Sequence, residues 1–224
     1  RNGDWAWAGA TAYDFRLPSV ILGGTGAKLV FRNTTYVEYT SCPVSGSGEV
    51  VFAPDSASAK SSLLYGPFAH DGVFAVDNAS SVSTYTLGWG AGTRTLRLAN
   101  GALFRANGVA AFDALAITGR ATLELLHNSR LTIGDVVSGE RLDVTALNGV
   151  GGGKVDFVGT FPSSFALTAK GPAYCLFNGG EPTAGFSLRT ADGVMYLSPD
   201  ASGVIDGAAF SEISAASEVT AWSD

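Results

Sequence analysis

The stretch Thr95-Leu96-Arg97-Leu98-Ala99-Asn100-Gly101 contains the pattern that decides the fold. Polar and apolar side chains alternate over its first four residues, which is typical of a β-strand with one buried side. Asn100 and Gly101 follow as a turn signal, because Asn and Gly both tolerate left-handed backbone conformations. The segment therefore predicts a short strand that ends at a polar corner.

Five further segments, which begin at Lys28, Glu49, Val73, Thr122 and Leu142, have the same order of apolar alternation and polar turn. The turn residues of all six segments are Asn33, Asp55, Asn78, Asn100, Asn128 and Asn148. Their separations are 22, 23, 22, 28 and 20 residues. A period near 22 residues is shorter than the roughly 33–47 residues of helical repeats, and it indicates a β-solenoid. We expect the interval of 28 residues to contain an inserted loop.

Each period has room for two or three short strands, so stacked periods predict a single-stranded parallel β-helix with about 22 residues per coil and capped ends. Apolar side chains would point inward. The polar residues expected to point outward are Arg97, Glu124, Thr132 and Asp143. An antiparallel β-sandwich, which also has short strands at regular spacing, is the alternative.

The chain of 224 residues is predicted to form one β-solenoid domain. Residues 1–27 would be an N-terminal cap region, residues 28–180 the coils, and residues 181–224 a C-terminal hairpin and cap. Asp192-Gly193 is the turn signal for that hairpin.

Charge and hydropathy exclude two classes of partner. The net charge is −6, and the 14 basic residues occur without a cluster, so the footprint of a nucleic-acid binder is absent. The longest nearly apolar segment, residues 108–119, is shorter than the roughly 20 residues of a spanning helix. We therefore expect no nucleic acid and no membrane span within these residues.

Cysteine and histidine are too scarce for the usual metal sites. Cys42 and Cys175 would lie about six coils apart, which is too far for a disulfide, so we predict two separate buried thiols. His70 and His127 are 57 residues apart with no cysteine nearby. The sequence therefore predicts no metal site and no cofactor.

In three segments, Gly24–Phe31, Gly46–Phe52 and Gly92–Leu98, a glycine is followed after two or three residues by an apolar-x-apolar pattern. Together with the opening Gly3–Trp7 and the closing Ala173–Phe177, they resemble the β-strand repeats of bacterial autotransporter passengers and related secreted surface proteins. The resemblance implies export, a right-handed β-helix and an adhesive or structural role, and it implies no catalytic residues.

We expect a bacterial secreted or cell-surface β-helix module with a structural or adhesive role. It would recognise an extracellular glycan or a host or cell-surface ligand without catalysis, within a longer parent polypeptide or a homo-oligomer. The alternative is a polysaccharide-active β-helix enzyme, a glycoside hydrolase or a lyase, which would use paired carboxylates. Asp55 with Asp77, and Glu124 with Asp143, are the pairs whose spacing is close to one coil.

The candidate ligand-binding residues are two aromatics and two turn carboxylates. Trp89 lies between two glycines and Tyr85 is close to it in sequence, so these rings are candidates for stacking on a sugar. Asp55 and Asp77 follow successive predicted strands at one-coil spacing. No catalytic residue is assigned.

Overall fold

A computed structural model shows an all-β chain whose parallel strands stack as a β-solenoid with roughly 21 residues per turn. The parallel β-helix is therefore confirmed over the antiparallel sandwich. The structure describes residues 5–9, 15–16, 19–33, 37–41, 43–53, 60–63, 68–77, 81–85, 94–146, 153–162, 165–170, 174–177, 186–191, 194–197, 210–215 and 218–221. Side chains are described in residues 19–32, 43–53, 70–77, 94–126, 129–146, 153–162 and 165–170, and at Cys175.

The described residues contain the following strands, in chain order: β1 Trp5–Gly9, β2 Phe15–Arg16, β3 Val20–Leu22, β4 Lys28–Asn33, β5 Val37–Ser41, β6 Val44–Gly46, β7 Glu49–Phe52, β8 Lys60–Leu63, β9 Phe68–His70, β10 Val73–Val76, β11 Ser81–Tyr85, β12 Thr95–Leu98, β13 Leu103–Ile117, β14 Arg120–Ser138, β15 Arg141–Ala146, β16 Lys154–Phe157, β17 Ala166–Lys170, β18 Tyr174–Phe177, β19 Phe186–Ala191, β20 Val194–Leu197, β21 Phe210–Ala215 and β22 Glu218–Ala221.

The strands lie on three faces of the solenoid, and every described pairing is parallel. Face 1 contains β1, β4, β7, β10 and β12, followed by the last segments of β13 and β14. Face 2 contains β2, β5, β8 and β11, the first segments of β13 and β14, and then β15, β17, β19 and β21. Face 3 contains β3, β6 and β9, the middle segments of β13 and β14, and then β16, β18, β20 and β22.

Paired residues recur at one-coil spacing because each strand lies beside the equivalent strand of the next coil. Leu96 pairs with Leu115, 19 positions later, whereas Arg141 pairs with Ala166, 25 positions later. The pairings of β12 with β13 and of β15 with β17 have no register shift, so the corners between faces take up the difference in length.

The core is filled by apolar side chains from alternate strand positions, as the alternation predicts. Phe31 and Phe52 are register partners whose rings stack with centroids 4.7 Å apart. Phe74 lies 5.2 Å from Phe52, and Phe104 lies 5.8 Å from Phe74. This column of buried rings joins successive coils inside the solenoid.

The polar turn residues occupy more than one corner of the solenoid. Asn33 ends β4 and Asn100 follows β12, so both lie at the corner between faces 1 and 2. Asn128 instead lies in β14 between the segments that belong to faces 2 and 3. The predicted loop insertion is therefore wrong, because the interval of 28 residues arises from a change of corner. Asp55, Asn78 and Asn148 lie outside the described residues.

At the first of these corners, the turn after Asn100 is repeated one coil later by Gly119. Gly119 has a φ of 74°, and a Cβ there would contact the Asn100 side chain. Asn100 Oδ1 accepts a hydrogen bond of 3.1 Å from the Arg120 backbone N–H. The asparagine therefore caps the next coil, and the close approach requires glycine.

The C-terminal strands continue the parallel stack. β19 pairs with β17 and β21, and β20 pairs with β18 and β22, each in parallel. The predicted hairpin around Asp192-Gly193 is therefore wrong, because β19 and β20 lie on different faces. At the other end, β1, β2 and β3 pair with β4, β5 and β6, so strands of the predicted cap region also belong to the stack.

Candidate ligand-binding surface

The outward side of face 2 between β13 and β17 carries several charged and hydroxyl side chains. Inward positions hold a buried column of Phe104, Leu123, Val144 and Ala169, so the intervening residues point outward. We call these outward residues the face-2 surface: Leu103, Arg105, Asn107, Thr122, Glu124, Leu126, Arg141, Asp143, Thr145, Thr168 and Lys170.

Arg105 and Glu124 form an ion pair between two successive coils on this surface. They are register partners on β13 and β14, and the Arg105 Nε–H donates to Glu124 Oε2. Glu124 is buried even though it points outward. The pair therefore combines charge neutralisation with parallel strand pairing.

Asp143 accepts from two cations. Arg141 Nε lies 2.8 Å from Asp143 Oδ1, and Lys170 Nζ lies 2.6 Å from Oδ2. Burial alone would raise the pKa of Asp143, but the hydrogen bonds and charges of Lys170 and Arg141 outweigh it and hold the pKa below 3.8. Asp143 is therefore an ionised, doubly paired carboxylate.

Glu124 and Asp143, the carboxylate pair considered for catalysis, do not lie opposite each other. Glu124 pairs with Thr145, and Asp143 pairs with Thr122, so the two acids are displaced by two residues on adjacent coils. A glycosidase acid must hold a proton, which requires a raised pKa. The cations around Asp143 favour its charged form and make it unsuited to that role.

Two of the four candidate residues chosen from the sequence, Asp77 and Tyr85, lie in the described part of the chain, and they belong to different faces. Asp77 follows β10 on face 1, where its backbone N–H donates to Phe52 O over 2.8 Å and its carboxylate lies 4.0 Å from Arg97 Nη2. Tyr85 is the last residue of β11 on face 2 and pairs with Asn107. Asp55, which follows β7 in sequence, and Trp89 lie outside the described residues.

Sequence reasoning missed the cations of the face-2 surface. Arg105 precedes Glu124 by 19 residues, and Lys170 follows Asp143 by 27 residues. A search for opposite charges at about one coil's spacing would have found the first pair. The second pair joins neighbouring coils whose spacing is longer than the predicted period, so a fixed period conceals it.

The other two faces also pair their outward acids with cations. On face 1, Glu49 accepts from Lys28 Nζ at 3.0 Å and from Arg97 Nη1 at 3.1 Å. On face 3, Arg130 Nε donates to Asp156 Oδ2 over 2.6 Å. These pairs link different coils on the outside of the solenoid.

Cys175 of β18 is a free thiol within the core. Burial raises its pKa to about 12, so the thiol is protonated at neutral pH. The prediction of an unbonded, buried thiol is confirmed for Cys175, whereas Cys42 lies outside the described residues.

The described part of the chain contains no cluster of three or more His, Cys, Asp or Glu side chains with the arrangement of a metal site. Over the same residues, there is no helix with the length and apolar character needed to cross a membrane. Comparison of the chain with protein-family models, curated proteins and solved structures gave no significant match.

Proposed function

We propose that the protein is a secreted or cell-surface β-helix module that binds an extracellular ligand through the face-2 surface and does not act as an enzyme. The observation that supports this proposal is the composition of that surface, where threonine hydroxyls alternate with charged groups already paired to each other. Such a surface offers hydrogen bonds to a polar ligand, and its acids are already neutralised by neighbouring cations.

Geometry favours an elongated ligand. Thr122 pairs with Asp143, and Thr145 pairs with Lys170, so partly exposed polar groups recur at one-coil spacing across successive coils. Neighbouring coils are about 4.8 Å apart, as in any sheet. An extended chain with a regular series of hydroxyls, such as a glycan, matches this repetition, and we propose glycans as the ligand class to test first.

We also propose that the protein is exported and displayed at the cell surface. The parallel β-helix is compatible with the autotransporter passengers that the sequence resembles. The ion pairs between coils would support a rigid module outside the cell. Labelling of the protein on intact cells of the organism that produces it, with and without protease treatment, tests display, and protection of the protein in intact cells would contradict it.

The enzymatic alternative has less support, because the acids of the face-2 surface are held in ion pairs. Its discriminating measurement is the release of reducing ends from polysaccharides by the purified chain. Release at a rate above that of a heat-denatured sample would replace the binding proposal with the enzymatic one.

Binding is tested by applying the full chain to a glycan array and by titrating any retained glycan. The double variant Thr122→Val/Thr145→Val removes two outward hydroxyls with almost no change of shape. Two neutral hydrogen bonds contribute about 1–3 kcal/mol together, so we expect binding to weaken about tenfold or more. The matched control is Thr132→Val, an outward threonine on face 3, which should change affinity less than about twofold. Absence of any retained glycan, or equal loss in test and control variants, would contradict the proposal.

A further inference from the structure

The corner between faces 3 and 1 contains hydrogen bonds that link four successive coils. His70 Nε2 lies 2.6 Å from Gly48 O in the preceding coil. Arg94, one coil later, donates from Nε to His70 O over 2.5 Å. The backbone N–H of Arg94 donates to Asp113 Oδ2 in the following coil over 2.9 Å. We call Gly48, His70, Arg94 and Asp113 the polar corner.

The hydrogen bond to Gly48 fixes the tautomer of His70. A carbonyl oxygen only accepts, so Nε2 carries the proton and Nδ1 presents a lone pair. Nδ1 is buried and has no hydrogen-bond partner, and the whole residue is 0% exposed. Burial of a polar atom without a hydrogen-bond partner lowers the stability of the folded chain. Here the atom belongs to an imidazole, the side chain whose ordinary pKa is nearest to neutral pH.

Two charged groups act on the His70 ring. Arg94 is itself buried and brings a positive charge to the polar corner from the next coil. Asp71, the next residue in the chain, is exposed and acts in the opposite sense. A second proton on His70 would sit on Nδ1, without an acceptor and near the guanidinium of Arg94.

We propose that His70 is a proton-sensitive latch, whose protonation weakens the polar corner and lets β9 and β10 open locally from the neighbouring coils in mildly acidic solution. This inference is independent of the proposed binding function. It requires only that the neutral ring fits the corner better than the charged ring.

The direction of the pH effect follows from the environment of the ring. Burial lowers the pKa of His70 below 6.5, and the charge of Arg94 acts in the same sense; the hydrogen bond to Gly48 and the charge of Asp71 oppose them without reversing the shift. The unfolded chain therefore takes up a proton near pH 6.5, before the folded chain does. Above that pH His70 is neutral in both states, and the polar corner stays intact. Below it, the unfolding equilibrium constant rises by up to about tenfold per pH unit until the folded ring is also protonated.

The test compares the urea unfolding of three full-length chains between about pH 5 and pH 7.5, a range in which ordinary carboxylates remain largely ionised. His70→Gln keeps a donor for Gly48 O and cannot become charged. His127→Gln is the matched control, since these are the 2 histidines of the chain. We expect the wild-type chain and the control to lose stability below pH 6.5 more steeply than His70→Gln. An identical pH profile for His70→Gln and the wild-type chain would overturn the proposal.

A second measurement covers the case in which His70→Gln does not fold. The imidazole NMR signals of the wild-type chain are titrated, with His127→Gln supplying the assignment. We expect His70 to be protonated at a lower pH than an ordinary histidine. We also expect the Asp71 and Val73 amides, which donate to Gly46 O and Gly48 O, to lose hydrogen-exchange protection as it titrates. An ordinary titration, or protection factors independent of the His70 charge, would overturn the latch.

Discussion

Arg97 reaches Glu49 across an intervening strand: Nη1 on β12 lies 3.1 Å from Oε1 on β7, two coils earlier on face 1. The arginine is the register partner of Ala75 on β10, which is fully buried although it occupies an outward position. Glu49 also accepts from Lys28 of the coil before it. One carboxylate therefore holds cations from both directions along the solenoid axis.

Removal of the guanidinium should loosen these coils modestly. For Arg97→Met, which keeps an apolar stem over the sheet, we expect a loss of about 0.5–1 kcal/mol, because the pair is partly solvated. Urea unfolding measures this loss. Lys154→Met, which removes an exposed cation from face 3, is the control and should change stability by less than about 0.5 kcal/mol. Equal stability of Arg97→Met and the wild-type chain would show that the contact contributes nothing.

Acid should weaken the contribution of Glu49 to the free energy of unfolding. Burial by itself would raise the pKa of this carboxyl, but the hydrogen bonds and charges of Lys28 and Arg97 outweigh it and lower the pKa below 4.5. The stabilisation is present above about pH 4.5 and is lost as the pH falls through the lower, folded-state value. Comparison of unfolding between pH 3 and pH 7, for the wild-type chain and Glu49→Gln, should show a steeper acid loss in the wild-type chain. Parallel profiles would be the contrary result.

The aromatic column should be intolerant of truncation. Phe52 is buried between Phe31 and Phe74, with ring centroids 4.7 Å and 5.2 Å away. We expect Phe52→Ala to cost about 3–5 kcal/mol, since it removes apolar contacts and leaves a cavity. Phe52→Leu, which keeps most of the volume, should cost less than about 1.5 kcal/mol. Thermal or urea unfolding distinguishes the two, and a similar loss for both would mean that the column is not tightly packed.

Gly72 should be required by close backbone approach. A Cβ at this position would overlap the carbonyl oxygens of Gly48 and Ser47 in the preceding coil. Gly72→Ala should therefore destabilise the chain by roughly 1–3 kcal/mol, as overpacking does. At Gly26 an added Cβ meets nothing within 4 Å, so Gly26→Ala should change stability little. Equal unfolding midpoints for the two variants would contradict this reading of the corner.

Cys175 should be unreactive until the solenoid opens. In a Cys42→Ser background it is the remaining thiol of the chain, and its burial with a pKa of about 12 leaves almost no thiolate at pH 8. A thiol-specific reagent should label it at the rate of unfolding, and completely in denaturant. Rapid stoichiometric labelling of the folded chain would show that face 3 opens readily at β18.

The fold was predictable because strand alternation and period are local signals. Strands β7, β10 and β12 have the bounds that the sequence indicates, at Glu49–Phe52, Val73–Val76 and Thr95–Leu98. Apolar alternation over four residues suffices to mark a strand whose other side faces outward. The parallel arrangement then follows from repetition at a spacing too short for a helix pair.

The choice of corner and the terminal pairing were not predictable in the same way. An asparagine marks a turn but not which of the three corners it occupies, and this is why Asn128 was misplaced. Asp192-Gly193 carries a hairpin signal, yet the strands on both sides find parallel partners in neighbouring coils. The pairing of strands that are distant in sequence decides which corner an asparagine occupies and whether two strands form a hairpin. A local turn preference does not predict that pairing.

The candidate surface was predictable only in part. Glu124 and Asp143 were expected to point outward, and both lie on the face-2 surface. One-coil spacing between opposite charges would have assigned Arg105 to Glu124. Lys170 depends on the register between coils of unequal length, so spacing in the sequence alone could not assign it to Asp143. Tyr85 pairs with Asn107 on the edge of that surface, whereas Asp77 belongs to face 1.

Corner length has a consequence for how such a chain can change during evolution. Spacings of 19 and 25 residues between paired positions both leave apolar side chains inside, so a corner can gain or lose residues without reversing the strands that follow. Insertions are thereby confined to the corners. Duplication of one whole coil would add a coil whose strand edges can pair with those of the coils on either side. The number of coils and the length of the corners can therefore change independently, and neither change requires new packing in the core.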